Sequence, residues 1–440
     1  MWMGRKKMTR QKALVFGFLI FSPFALMHAQ WAKAYGKAEG AMWEYVNCIV
    51  TTIDGGFIVA GNIDIRTDLF AHDSYFWIMK LSSEGDLGWQ RTFGVEGYEQ
   101  ANSIRQLEDG GYIVCGDSAD FFVVFKIDYA GSVIWARKYN AFVGYCKSLD
   151  LTADGGFVVA GGDFGVMKLS SDGGIEWQKE YGPRGTKYAA HFAVHIEQAA
   201  DGGYILMGWS DEDVCVLKLS SQGAIQWQNR YDGSEYDRPY SIQQTKDGGF
   251  IISADTQSPS SSNMDVWVLK LDDHGRVEWQ ACYGGADGDY AGEIRQTADG
   301  GYVLTGGTSS DGSGNSGAFL LKLSPAGSIE WQRTYVGGHG SSVKQIDDFG
   351  YVVAGSCGYF VEGYTFDYQV LRFSASGDIP GCEDLKNANF SIRKTTVLPQ
   401  MTSFAPFDTG AISQPCYLSV PQFDIKSIAI CPWKKAIVRR

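Results

Sequence analysis

The sequence predicts an all-β fold, a seven-bladed β-propeller of four-stranded antiparallel blades. Two observations carry this expectation. A unit of about 49 residues recurs seven times, within the ~40 to 50 residue range of propeller blades, and each unit reads as four short strands separated by glycine-bearing turns. The fifth unit shows the pattern in full. Its first two strands, Ile242 to Ile252, are joined by Asp247-Gly248-Gly249, whose glycines accept the positive φ of a tight hairpin. Asp265 to Leu271 forms the third strand, Asp272-Asp273-His274-Gly275 the turn, and Val277 to Gln280 the fourth strand. β-Branched and aromatic residues fill these strands, as suits a pleated, packed surface. One unit cannot bury both its faces, so the units must stack on one another.

The register of the repeats is strict. The turn aspartates are Asp54, Asp109, Asp154, Asp201, Asp247, Asp299 and Asp348, and an aromatic residue follows each turn, from Phe57 to Tyr351. Four residues further on stands Gly61, Gly116, Gly161, Gly208, Gly306 or Gly355, with Ala254 the exception. A basic residue marks every third strand, at Lys80, Lys126, Lys168, Lys218, Lys270, Lys322 and Arg372. The fourth strands carry Trp89, Trp135, Trp177, Trp227, Trp279 and Trp331. A cation recurring once per blade predicts a structural pairing, its stem against the fourth-strand tryptophan or its ammonium on a turn acid.

From Trp31 to Cys382 these units resemble the repeats of secreted bacterial and archaeal β-propeller proteins, which read roughly DGGYIVAG, WVLKLD and GxIxWQK. The resemblance implies the fold and says little of function. Leu271-Asp272-x-x-Gly275-x-x-x-Trp279 is also distantly similar to the tryptophan-docking motif of quinoprotein propellers. That likeness implies packing between blades. The residues of a quinone pocket find no match, and no cofactor is expected.

Ring closure is legible at the two ends of the repeats. Trp31-Ala32-Lys33-Ala34-Tyr35 matches a fourth-strand ending without three strands before it, whereas the seventh repeat reads Gly377-Asp378-Ile379-Pro380-Gly381-Cys382 where its fourth strand should lie. Proline and glycine argue against a paired strand there. The N-terminal segment is therefore predicted to supply the outer strand of the seventh blade, against Tyr368 to Phe373.

Residues 1–29 read as a signal peptide, with Arg5, Lys6, Lys7, Arg10 and Lys12 before an apolar run from Ala13 to Met27. A spanning helix needs ~20 such residues, so the run predicts export to the periplasm, the cell surface or the medium, with no membrane span in the mature chain. Residues 30–382 are then the propeller and residues 383–440 a short C-terminal β extension. Removing five of the 38 basic residues with the signal leaves 33 against 50 acidic, a net charge of −17. The extension holds eight basic and four acidic residues, which leaves the propeller near −21. Such a body repels nucleic acid. Of the nine cysteines, Cys48, Cys115 and Cys215 fall within strand patterns and read as buried thiols. Cys382 and Cys431 flank the extension, and a disulfide between them would pin it to the ring.

The loops that lead into the first strands are expected to surround one mouth of the channel. Counting back five and four residues from the aligned Ile49, Ile104, Leu149, Ile196, Ile242, Ile294 and Val343 selects Glu44, Glu99, His191, Asp237 and Asp289, with Tyr45, Tyr145 and Tyr290. Carboxylates and aromatics converging on one opening suit a cation, a basic peptide or a stacked sugar, although acids can equally satisfy turn amides. The fourth repeat departs most from the others, with a long leading loop before His191 and His195. Four residues of extended strand span roughly 13 Å at ~3.3 Å each, too far for both histidines to hold one metal. The sequence contains no G-x-S-x-G, no H-E-x-x-H, no phosphate-binding glycine loop and no zinc-type cysteine pair. These readings favour an exported, monomeric, non-enzymatic module that binds a protein or carbohydrate. A polysaccharide lyase or hydrolase is the first alternative and a structural cell-surface component the second.

Overall fold

The computed structural model describes residues 30–37, 41–66, 72–94, 98–119, 121–140, 145–182, 191–233, 236–257, 263–310, 317–336, 338–360, 364–380, 391–393, 400–401, 412–415 and 425–429. These residues contain strands and turns and no helix. Seven antiparallel sheets stand around a central channel, one per repeat. The blades are numbered here in repeat order. Blade 5 runs from channel to rim as Asp237–Gln244, Phe250–Gln257, Met264–Leu271 and Val277–Gly284.

Burial follows position in the blade. The two middle strands are covered on both faces by neighbouring blades, so Tyr112–Ser118 and Gly317–Leu323 are buried along their whole length. This is why they read as continuous apolar runs rather than alternating ones. The core lies between blades: Ile58 and Phe76 of blade 1, for example, pack against Ile104, Val114 and Phe125 of blade 2.

Three recurring devices join the units. First, the turn aspartate caps its own hairpin, as Asp247 Oδ1 accepts the Gly249 amide at 3.0 Å, while Gly248 takes a φ of 87°. Second, each third-strand cation reaches the turn acid of its own blade, from Lys80–Asp54 at 2.8 Å to Arg372–Asp348 at 2.8 Å. In six blades the pairing of third and fourth strands shifts register just after that lysine. Its ammonium donates to the carbonyl of the next residue in five of them, as Lys270 Nζ does to Leu271 O at 2.9 Å. The aspartates are half-exposed, so each pair contributes only ~0 to 1 kcal/mol, and the gain lies in satisfying a buried carbonyl at the bulge.

Third, each fourth-strand tryptophan docks on the next blade. A Cβ on Gly275 would lie 2.8 Å from the Trp227 ring, and one on Gly327 2.8 Å from Trp279, so glycine is required at these turn positions. The following tyrosine donates its hydroxyl to the same glycine carbonyl, Tyr231 to Gly275 at 2.6 Å and Tyr283 to Gly327 at 2.5 Å. The docking motif thus links consecutive blades.

The ring closes as the two incomplete repeats predict. Trp31–Lys37 pairs antiparallel with the third strand of blade 7, Trp31 opposite Arg372 and Tyr35 opposite Tyr368. Its Tyr35 hydroxyl reaches Gly85 O of blade 1 at 2.6 Å. The expected β extension adds strands to four blades. Ser391–Arg393 adds to the outer strand of blade 5, Gln400–Met401 to blade 4, Ile412–Pro415 to blade 2 and Ile425–Ala429 to Trp31–Lys37 of blade 7. Four sheets thereby gain a fifth strand and a covered edge. Cys48, Cys115, Cys146, Cys215 and Cys282 are buried free thiols. Cys382 and Cys431, and with them the expected disulfide, lie outside the described residues, as does the signal segment. Among the described residues no helix is long and apolar enough to cross a membrane.

One hairpin departs from its siblings. Where six turns place glycine, blade 7 has Phe349 at φ 62°, a residue 61% exposed. A β-carbon in the left-handed region costs ~1 to 2 kcal/mol. Phe349→Gly is therefore expected to raise the thermal midpoint, by an amount worth ~1 kcal/mol, and a lowered midpoint would show that the phenyl ring holds the turn.

Candidate functional site in the channel mouth

Every inner strand carries a bulge at the same height. Register slips between Val46 and Cys48, Ala101 and Ser103, Cys146 and Ser148, Ala193 and His195, Pro239 and Ser241, and Gly340 and Ser342, with a longer slip from Ala291 to Ile294. The skipped residue is left out of the ladder. Asn47, Asn102, Lys147, Val194, Tyr240, Gly292 and Ser341 occupy these places, and all line a cavity of about 700 Å³ in the channel.

Charged side chains interlock at the cavity floor. Glu293 accepts from Arg295 at 2.6 Å, Lys344 at 2.5 Å and the Ser342 hydroxyl at 2.6 Å. Arg295 also bonds Glu197, and His195 Nε2 lies 3.4 Å from the same carboxylate. On another arc Arg105 pairs with Asp150 at 3.2 Å. Three cations thus face three carboxylates. Burial works against the Glu197 anion, but the Arg295 guanidinium outweighs it and holds the carboxyl at about 2. Burial opposes ionisation of Glu293 too, and Arg295 and Lys344 hold it well below the usual range. General acid–base groups work best with a pKa near the operating pH, so these two acids are poorly suited to moving protons.

Blades 3, 4 and 5 make an aromatic and basic wall. Phe192, 40% exposed, lies nearly parallel to Trp209, at 11° and 6.2 Å between centroids, and Tyr236 meets Trp209 edge-on at 5.4 Å. Lys147 lies over the Tyr145 ring at 4.9 Å and Arg238 over Tyr240 at 5.3 Å. The place of Trp209 has a physical reason. At the equivalent second-strand position Asp117, Asp255 and Ser356 accept the inner-strand amide of the next blade, from Cys146, Ala291 and Val46. Blade 5 has Pro239 there, which has no N–H to donate. No acceptor is needed, and an indole takes the position. Burial raises the carboxyls of those two acceptors, Asp117 to about 6 and Asp255 to about 8. Opposite the wall, His339 is half-buried, and desolvation lowers its imidazole to about 4, leaving it neutral.

The residues chosen from sequence separate into two groups. Glu44, Glu99, Asp237 and Asp289 lie inside the blades, none above 2% exposed, rather than on the rim. Three have near neighbours as partners: Asp237 accepts the Gly233 amide at 2.5 Å, Glu99 the Ser118 hydroxyl at 3.3 Å, and Asp289 the Gly285 amide at 2.7 Å and the Thr308 hydroxyl at 2.5 Å. Tyr145 lines the cavity and is 51% exposed. Tyr290, at 41%, and half-buried Tyr45 lie on the same side of their blades but outside the cavity wall. His191 opens the inner strand of blade 4 opposite Ser210, and its side chain lies outside the described part. Phe192 and Arg238 fall in the same register as those tyrosines, four residues before the aligned Ile196 and Ile242, whereas Trp209, Lys147 and the acids and cations of the floor stand out in no single repeat. Carboxylate oxygens of Asp213, Asp232 and Asp237 lie within 4.8 Å of one another, and Arg230 already neutralises Asp213 at 2.9 Å.

No protein-family model matches the chain, and no curated protein matches it. Solved structures do. The chain superposes on U3-55K with a TM-score of 0.51 at 10% identity, over 78% of this chain and 98% of that one. It superposes on the WD40 repeats of RRP9 with a TM-score of 0.52 at 11% identity, over 78% and 97%. At such identity the likeness is one of fold, and it establishes the β-propeller architecture of this chain.

Proposed function

We propose that this chain is an exported, non-enzymatic binding module whose ligand docks in the channel mouth and stacks on the aromatic wall of blades 3 to 5. The observation that carries this reading is the asymmetry of the cavity. Phe192, Trp209, Tyr236 and Tyr145 gather on one arc, where the opposite arc presents Gly292, Ser341 and Ser342. Packing alone would repeat around the ring; Tyr145 and Phe192 share their register with Tyr45 and Tyr290, but those two do not line the cavity, and Trp209 and Tyr236 have no aromatic counterpart that does. An apolar wall with a few fixed polar groups is the usual form of a ligand site, and ring faces suit the C–H faces of a sugar. A floor of mutually neutralised charges stops the ligand without supplying a proton donor, which favours binding over the lyase or hydrolase alternative.

A glycan array probed with the intact chain, Trp209→Ala and Tyr145→Ala tests the reading. Carbohydrate binding that falls at least tenfold in Trp209→Ala is the expected result. Binding that survives both substitutions would place the ligand elsewhere on the propeller, and glycan turnover would favour the enzymatic alternative.

A further inference from the structure

The mouth also shows a charge pattern that the aromatic wall does not require. Lys147 and Arg238 stand on blades 3 and 5, on either side of the Phe192–Trp209 pair of blade 4. Both ride over tyrosine rings, and among the described residues neither makes an ion pair, although each attracts a buried acid, Asp117 for Lys147 and Asp255 for Arg238. Every other arginine and lysine in the wall or floor is matched: Arg105 by Asp150, Arg295 by Glu197 and Glu293. Acids that could have neutralised the mouth are turned inward, at Glu44, Glu99, Asp237 and Asp289. In a chain of net charge −12, two unmatched cations flanking an aromatic platform form a local positive arc.

Resting on the binding reading above, we propose that the ligand is an acidic oligosaccharide, a chain of uronate-type sugars whose rings stack on Phe192 and Trp209 and whose carboxylates meet Lys147 and Arg238. The spacing selects this class. A cation on each side of one stacking platform matches a ligand in which anionic groups recur along a row of rings. A polyphosphate also repeats its charge along a chain, but it has no ring to stack on Phe192 and Trp209. The small residues on the far arc, Gly292, Ser341 and Ser342, leave width for such a chain to lie across the opening.

The test uses the full mature chain, tetragalacturonate and the methyl ester of the same tetrasaccharide, which keeps the rings and removes the charge. Titration calorimetry in low and moderate salt should show the acid binding at least tenfold more tightly than the ester, with the difference shrinking as salt screens it. Lys147→Gln and Arg238→Gln should each weaken the acid several-fold and leave the ester unchanged, with thermal midpoints near that of the parent. Trp209→Ala should weaken both. Equal, salt-insensitive binding of acid and ester would overturn the charge assignment and leave the stacking site standing. Failure of both probes to bind would overturn the two together. A tetraglutamate peptide binding as tightly as the acid would give the cations to a protein partner and overturn the saccharide assignment.

Discussion

Deletion of residues 30–37 is expected to abolish cooperative folding of the ring. This strand supplies the fourth strand of blade 7 through five registered pairs with the strand ending at Phe373. It also buries Trp31, Ala32, Ala34 and Tyr35 in the two inter-blade cores that flank that blade. Loss of a buried tryptophan side chain alone costs ~3 to 5 kcal/mol, a large share of the ~5 to 15 kcal/mol that keeps a domain folded. The neighbouring extension strand Ile425–Ala429 has no aromatic residue to dock on Gly85, so it is a poor substitute. Milder variants keep the test informative where the deletion does not fold. Trp31→Ala should lower stability by ~3 to 5 kcal/mol, and Tyr35→Phe, which loses only the hydroxyl bond to Gly85, by ~1 kcal/mol. Chemical denaturation reads all three, and an unchanged midpoint for the deletion would refute closure by this strand.

The second large effect is expected at the channel floor. Arg295→Met removes the cation shared by Glu197 and Glu293, whose side chains are 13% and 11% exposed, and leaves two carboxylates short of their partner. Breaking a buried pair on one side costs ~3 to 5 kcal/mol. Replacing the acids as well, with Glu197→Gln and Glu293→Gln in the same chain, should recover most of the loss, since the neutral set carries no orphan charge. pH provides a second readout. In the parent, burial is outweighed by Arg295 and Glu197 titrates at about 2, below its ordinary value of 4.5. It binds fewer protons folded than unfolded between those values, so its stabilisation is full above pH ~4.5 and is lost as pH falls towards 2. In Arg295→Met the guanidinium is gone and burial dominates at Glu197, which raises its carboxyl, while Lys344 still holds Glu293. That variant should gain stability relative to the parent as pH falls from 7 towards 5. Parallel pH–stability curves for parent and variant would show that the network carries little of the channel's energy.

Much of this fold is legible because the same requirement recurs seven times. A turn aspartate, a docking tryptophan and a lysine at a strand bulge each meet a local or nearest-neighbour need, so their spacing survives in the chain and can be counted. Ring closure is legible for a related reason, since the Trp31 segment and the Pro380 segment are defects of one repeat divided between two ends. The candidate site was harder to see. Positions five residues before the aligned inner-strand residue form a readable register, but Glu44, Glu99, Asp237 and Asp289 are buried inside their blades. The position one residue after it, which carries Arg105, Asp150, Glu197, Arg295 and Lys344, was equally readable in register. Taken one blade at a time those residues look like polar side chains facing solvent.

The sequence by itself determined the number of blades, the four-stranded plan of each, the order in which they follow and the strand that closes them, because these depend on contacts between residues close in the chain or one repeat apart. Only the tertiary structure decided which polar residues meet across the channel, that the acids of the mouth are buried while Lys147 and Arg238 make no ion pair among the described residues, and that four strands of the extension add to the rims of blades 5, 4, 2 and 7. Those outcomes depend on seven strands converging on one axis. Residues as far apart as Glu197 and Arg295 become partners there, and no local pattern records that they will meet.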